Sequence, residues 1–234
     1  MRGLGTVINV AAVLAGTGVG LALGHRLPER ARGTMLSAVG LVTIVLGVSQ
    51  GLETRNLLFP LGAVVVGAFI GEMASLEERL EGLGDRIRRR VEKGRPVKED
   101  QGRFVEGFVA ASLVFCVGPL TILGSMQDGL AGDFELLAVK SALDGLVAIV
   151  FASTLGIGVA FSALTVLIYQ GLLTAGAVVL DDALTERMIA EATATGGVMV
   201  IGIGIRLLEL RAVRVAAMLP GLVLAPLAVA VFAT

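Results

Sequence analysis

Lys140 and Asp144 are the residues whose types and spacing could do chemistry in this 234-residue sequence: an amine and a carboxylate four positions apart inside an apolar run. On a helix such a pair shares one face and can pair internally. Charged side chains at bilayer depth are rare, and those that persist face a bundle interior or a wet cavity. A carboxylate held there can take a cation or a proton, whose arrival competes with the ammonium beside it. Ion-coupled carriers require that competition. The alternative is structural: Lys140 snorkels outward along its aliphatic stem while Asp144 is neutralised by it or protonated.

The same stretch, residues 115–145, holds a Gly-rich turn between two apolar segments. Pro119 removes a backbone donor and predicts a kink inside the first segment, with a freed carbonyl near Phe115 that a cavity, water or neighbouring helix must satisfy. Gly124-Ser125-Met126-Gln127-Asp128-Gly129 follows. In one reading the segment is broken or re-entrant, and Asp128, Gln127 and Ser125 shape an external mouth. In the other it is an ordinary turn with Asp128 capping the next span. Asn9, Gln50 and Gln170, amides within other apolar runs, are candidate secondary ligands; intramembrane Ser and Thr ordinarily bond within their own helix or to a neighbour.

Several chemistries lack parts. His25 is the sole His, so a zinc site has no His pair. Gly47-Val48-Ser49-Gln50-Gly51 has the form of a hydrolase elbow but lies late in an apolar span rather than on a strand-to-helix turn. An intramembrane aspartyl pair, Asp128 or Asp133 with Asp144, lacks a supporting Gly-x-Gly-Asp string. No phosphate-binding loop ending in Gly-Lys-Ser/Thr is present, so transport would run on gradients or passively. The lone Cys116 rules out an internal disulfide and reads as a small core residue. The expectation is a protein that is not an enzyme, without metal or cofactor, and without affinity for nucleic acid, since its charges segregate by loop rather than form one basic surface.

The elements that must position these residues are membrane helices. The chain is 55% hydrophobic and 17% charged, with no Trp, one Tyr and 32 Gly. That composition matches a polytopic membrane protein packed through small residues, with almost no aromatic belt. At about 20 apolar residues per span, eight spans are predicted, at residues 4–23, 34–52, 57–73, 105–124, 135–154, 156–179, 192–208 and 213–233. The first lacks the flanks of a signal peptide and is expected to stay in the mature chain. Fifteen of the 19 Lys and Arg fall in the loops after spans one, three and seven. The positive-inside rule then makes that face cytoplasmic, with both termini outside a bacterial inner membrane. The domains expected are residues 1–73 (spans one to three), 74–104 (a cytoplasmic segment), 105–154 (a central hairpin) and 155–234 (spans six to eight). In the cytoplasmic segment Leu76, Leu80, Leu83, Ile87 and Val91 recur at helical spacing opposite Glu and Arg, which predicts an amphipathic helix lying on the anionic inner leaflet or, alternatively, a solvated connector.

Two internal echoes suggest a repeat. Gly40 to Gly47 in span two matches the Gly spacing of Gly197 to Gly204 in span seven, and each leads to Pro-Gly-type spans, Pro60-Leu61-Gly62 and Pro220-Gly221. Spans two and seven would run oppositely, as in an inverted 3+3 repeat around the central hairpin. Thr43 to Leu52 is also similar to Thr121 to Leu130. The small-residue spacings Gly16/Gly20/Gly24 and Gly67/Gly71 predict close helix crossings, within the chain or in a homodimer.

Gly107-Phe108-Val109-Ala110-Ala111-Ser112, Lys140-Ser141-Ala142-Leu143-Asp144-Gly145, Phe151 to Val159, Gly71-Glu72 and Tyr169-Gln170-Gly171 together resemble the bacterial YqgA/YdfK-like family of uncharacterised membrane proteins, over nearly the whole chain. The resemblance implies a polytopic membrane protein with a transport role and no agreed substrate. It departs where relatives often carry Asn and this chain has Ala217, before Met218-Leu219-Pro220. The expected function is therefore transport of a small ion or solute, with Asp144 and Lys140 as the coupling pair. The alternative is a scaffold or sensor acting through residues 74–103.

Overall fold

The computed structural model describes residues 2–24, 28–80, 82, 86 and 101–232, and among these every regular element is helical. In chain order they are α1 (Leu4–Gly24), α2 (Glu29–Gly51), α3 (Leu58–Met73), α4 (Gln101–Cys116), α5 (Pro119–Ala131), α6 (Glu135–Leu155), α7 (Gly158–Ala175), α8 (Ala177–Ala183), α9 (Glu186–Leu207), a 3-10 turn (Val215–Met218) and α10 (Gly221–Phe232). Residues 76–80 form one further helical turn. Most of the amphipathic pattern expected over 74–103, like His25, lies outside the described residues.

Six apolar stretches are long enough to cross a bilayer: α1, residues 33–51 of α2, α6, α7, α9, and residues 215–232. A seventh crossing arises if α4 and α5 count as one span bent by 62°. The third expected span, α3, has 16 residues, or about 24 Å of helix, which is short of a full hydrocarbon core. The surface is apolar: Val45, Phe69, Val139, Leu146 and Leu172 are exposed. The interior combines large apolar side chains such as Phe115, Leu155 and Met199 with polar ones, Asn9, Thr43, Asp128 and Gln170. An apolar exterior around buried polar groups suits a chain whose solvent is lipid.

The helices form two groups. In the first, α1 lies along α6, and α7 packs against α1, α4 and α5; in the second, α2 lies along α9, and α10 packs against α3 and α9. The groups meet mainly where α9 touches α4 and where α2 touches α6. α1 and α6 run in the same direction: Gly16, Gly20 and Gly24 press on the carbonyls of Gly145, Ile149 and Ser153 in turn, leaving no room for a side chain. The close crossing expected of this Gly spacing is thus made inside the chain.

In the second group the helices run oppositely. A methyl built on Gly47 would stand 2.7 Å from the Gly197 carbonyl, and one on Gly197 would stand 2.6 Å from the Gly47 carbonyl. Gly204 faces Gly40 in the same reciprocal way. Gly67 and Gly71 of α3 likewise meet Gly221 and Ala217. The two Gly strings that look alike in the sequence are therefore packed on each other in opposite directions. Ala217, the position where Asn was expected from the resemblance, is buried, and its backbone lies against Gly71.

Pro119 does not kink a continuous helix, as the sequence reading had it. α4 ends at Cys116 and α5 begins with Pro119 in its first turn, where a missing N–H costs nothing. Gly118 between them has φ 141°, a conformation open to glycine and strained for other residues. The carbonyls stranded at this break find partners: Thr121 Oγ1 donates to Phe115 O at 3.2 Å, and Gln50 Nε2 donates to Val117 O at 3.1 Å.

Candidate functional site

Asp144 lies about 14 Å along α6 from its first residue, at 1.5 Å per residue, and both it and Lys140 are buried, 6% and 5% exposed. Lys140 Nζ and Asp144 Oδ2 form an ion pair within one helical face. Asn9 Nδ2, brought in by α1, donates to the same Oδ2 at 2.9 Å. The parallel packing of α1 on α6 makes this junction: glycines on α1 let the backbones approach, so the short Asn side chain reaches across. The amide oxygen Asn9 Oδ1 is buried and has no hydrogen-bond partner among the described residues. One unpartnered acceptor oxygen thus stands beside the buried ion pair.

Ser125 and Gln170 are fully buried, and the Ser125 hydroxyl and both amide atoms of Gln170 lack partners among the described residues. They lie one helical turn before Gly129 and Thr174, which are in contact where α5 meets α7. A buried polar group without a partner costs on the order of 1–3 kcal/mol, so these atoms mark a place that favours water or a polar guest. Thr6 Oγ1, on α1 one turn from Asn9, is buried and unpartnered too.

Other residues singled out in the sequence sit elsewhere. Gln127 is exposed on α5 and joins neither the ion pair nor a mouth. Gln50 is spent on the Val117 carbonyl at the break. Asp128 neither opens onto a vestibule nor caps α6. It is fully buried, and its two oxygens accept from the amides of Gly3 and Gly5, each at 3.0 Å. Gly3 precedes α1 and offers no capping side chain, so a carboxylate from α5 neutralises the positive helix end instead.

Glu191, which is not among the candidates named from the sequence, does the same work in the second helix group. It is fully buried in α9. Thr54 Oγ1 donates to it at 2.6 Å, and the amides of Arg55 and Asn56, just ahead of α3, donate at 2.9 and 3.1 Å. At the opposite end of the helices Glu77 accepts from the Ala216 amide at 3.0 Å and from Arg206 Nη1 at 3.0 Å. Arg206 also pairs with Glu106 at 3.5 Å, and Arg214 pairs with Glu72 at 2.8 Å and with Glu78. These pairs tie the loop after α3 to the loop after α9 at one end of the molecule. A backbone amide holds the Glu78 carboxyl below its ordinary value, with Arg214 adding to the effect against the desolvation of the site. A group depressed in this way stabilises the fold above its unfolded pKa and loses that contribution as pH falls through its folded one.

Residues 4–230 match the family model described as "Protein of unknown function (DUF554)". The chain is 34% identical over 224 residues to "Uncharacterized protein YqgA" of Escherichia coli (strain K12), across 95% of this chain and 94% of the relative. It is 27% identical over 229 residues to "Uncharacterized membrane protein YdfK" of Bacillus subtilis (strain 168), across 96% and 95%. No solved structure matches it.

Proposed function

The chain belongs to the DUF554 family and is a multi-pass membrane protein, and from that premise we propose that it carries a small ion or solute across a bacterial cytoplasmic membrane, driven by a gradient and not by ATP. The observation that carries this reading is the junction of Lys140 and Asn9 on one oxygen of Asp144, far from either end of α6. Burying an ion pair costs several kcal/mol of desolvation per ion, and an apolar pair of similar size would pack there at no such cost. The charges therefore have a use that packing alone does not supply. A cation or proton arriving at Asp144 displaces the Lys140 ammonium. Asn9 Oδ1, held in the site by the bond from its own Nδ2, is then an acceptor for either charge.

The α4–α5 break supports the same reading. Non-helical backbone at membrane depth is tolerated where protein or a cavity satisfies it, and Gln50 and Thr121 do so here with side chains that can let go. In this reading the end carrying Arg206 and Arg214 faces the cytoplasm, and both termini lie outside.

The test is flux. Purified protein reconstituted in liposomes is given an imposed proton, sodium or potassium gradient, and uptake is followed with a pH-sensitive dye and cation-selective electrodes. Wild type should dissipate at least one gradient, and Asp144→Asn, inserted to the same level, should not. Equal flux from both proteins removes Asp144 from the mechanism; no flux under any of these gradients, nor of a panel of small solutes driven by them, removes the transport reading.

A further inference from the structure

Between the two helix groups lies a cavity of about 430 Å³, bounded by Phe108 and Cys116 of α4 and Tyr169 of α7 on one side and by Thr193 of α9 and Leu222 and Pro226 of α10 on the other. Among the described residues no charged side chain lines it. Its volume is in the range of small-molecule sites, which are mostly apolar with a few placed polar groups. Two such groups are present. Thr193 is 1% exposed, and its hydroxyl has no partner among the described residues. Pro226 sits inside α10 and has no N–H, so the Leu222 carbonyl one turn earlier is deprived of its ordinary helical donor. Of the other wall hydroxyls, Ser112 and Thr165 bond to each other at 3.0 Å, and the third belongs to the Tyr169 phenol.

Water is a poor occupant of such a space, because each molecule needs two to four polar partners and the walls offer few. Leaving it empty forfeits dispersion contacts along every wall. A charged guest would find no counter-charge. We propose that this cavity binds an uncharged, largely apolar molecule bearing one hydroxyl head, which accepts from Thr193 Oγ1 and donates to the Leu222 carbonyl. The body of the guest lies against Phe108, Tyr169 and Pro226. This site is separate from the Asp144 junction, and binding there does not depend on the transport reading.

The chain carries its own reporter. It has no Trp, and Tyr169 is its only Tyr, so tyrosine emission reports on this cavity wall alone. Full-length protein in liposomes of unbrominated phosphatidylcholine is titrated with a brominated long-chain alcohol, a heavy-atom quencher. The expected result is saturable quenching, competed by the unbrominated alcohol and weakened about five- to tenfold by Thr193→Val, which keeps the shape and removes one hydrogen bond. Leu222→Phe, which fills the space, should weaken it further; if that variant does not fold, Thr193→Val still decides. Quenching that rises linearly and equally in all proteins, as for partition into lipid, overturns the proposal. So does a saturable curve that Thr193→Val leaves unchanged. Equal quenching by phosphatidylcholine with brominated acyl chains, before any alcohol is added, shows lipid tails in the space and overturns it as well.

Discussion

Asp128 closes the N-terminus of a helix to which it does not belong: its Oδ2 lies 3.0 Å from the Gly5 amide of α1, 123 residues away in sequence. The contact joins the start of the chain to the end of the broken α4–α5 pair and sets the height at which α1 slides along α6, hence the reach of Asn9. Hydrogen bonds to charged groups are worth about 1.5–3 kcal/mol. Asp128→Ala should therefore lower stability by about 2–4 kcal/mol, since two amides lose their acceptor, while Asp128→Asn, which keeps one acceptor oxygen, should lower it by less. Thermal or denaturant melts in detergent read both. Melts for the two variants that coincide with wild type would mean the carboxylate does not hold α1.

Glu191 makes a sharper, local forecast. Because its carboxylate gathers the Arg55 and Asn56 amides ahead of α3, Glu191→Ala should free those amides to exchange with solvent. Hydrogen–deuterium exchange should rise at 55 and 56 by about tenfold or more for a loss of about 1.5–3 kcal/mol, while amides in the middle of α6 keep their protection. Unaltered exchange at 55 and 56 would rule out the cap.

The glycines on α1 supply an internal control. A methyl on Gly16 would run into the Gly145 carbonyl, whereas one on Gly18, two residues on, would meet nothing within 4 Å. Ala is a better helix former than Gly by about 1 kcal/mol. Gly18→Ala should accordingly be neutral or mildly stabilising, and Gly16→Ala destabilising by about 1–3 kcal/mol through overpacking. Paired melts check the sign. If both substitutions shift stability the same way, the backbone contact between α1 and α6 is not as close as described.

The limits of the sequence reading follow from which of these relationships leave a trace in residue types. Gly40/Gly47 and Gly197/Gly204 could be matched in advance because close backbone crossings demand small residues at fixed spacing, and the structure packs the two strings together. Asn9, Lys140 and Asp144 could be picked out as polar groups in oily runs. That Asn9 meets Asp144 could not, since it depends on α1 running beside α6. Glu191 could not be singled out, because its partners Arg55 and Asn56 offer backbone amides, which every non-proline residue possesses and which no side-chain pattern betrays. Gln127 failed in the opposite way: one residue from Asp128 is about 100° around a helix, enough to turn it from the interior to the outside.

The Lys140–Asp144 pair can be separated into its structural and functional parts by a double-mutant cycle. Removing either charge alone leaves the other buried without its partner, which costs about 3–5 kcal/mol, so Lys140→Met in a chain that keeps Asp144 should melt well below wild type. Lys140→Met combined with Asp144→Asn removes both charges and keeps an acceptor for Asn9 Nδ2; its stability should return to within about 1 kcal/mol of wild type or exceed it, as replaced buried pairs often do. Gradient-driven flux should remain absent in this stable double variant. Recovery of stability and flux together would show that the pair serves packing alone, and the carrier reading would fall with it.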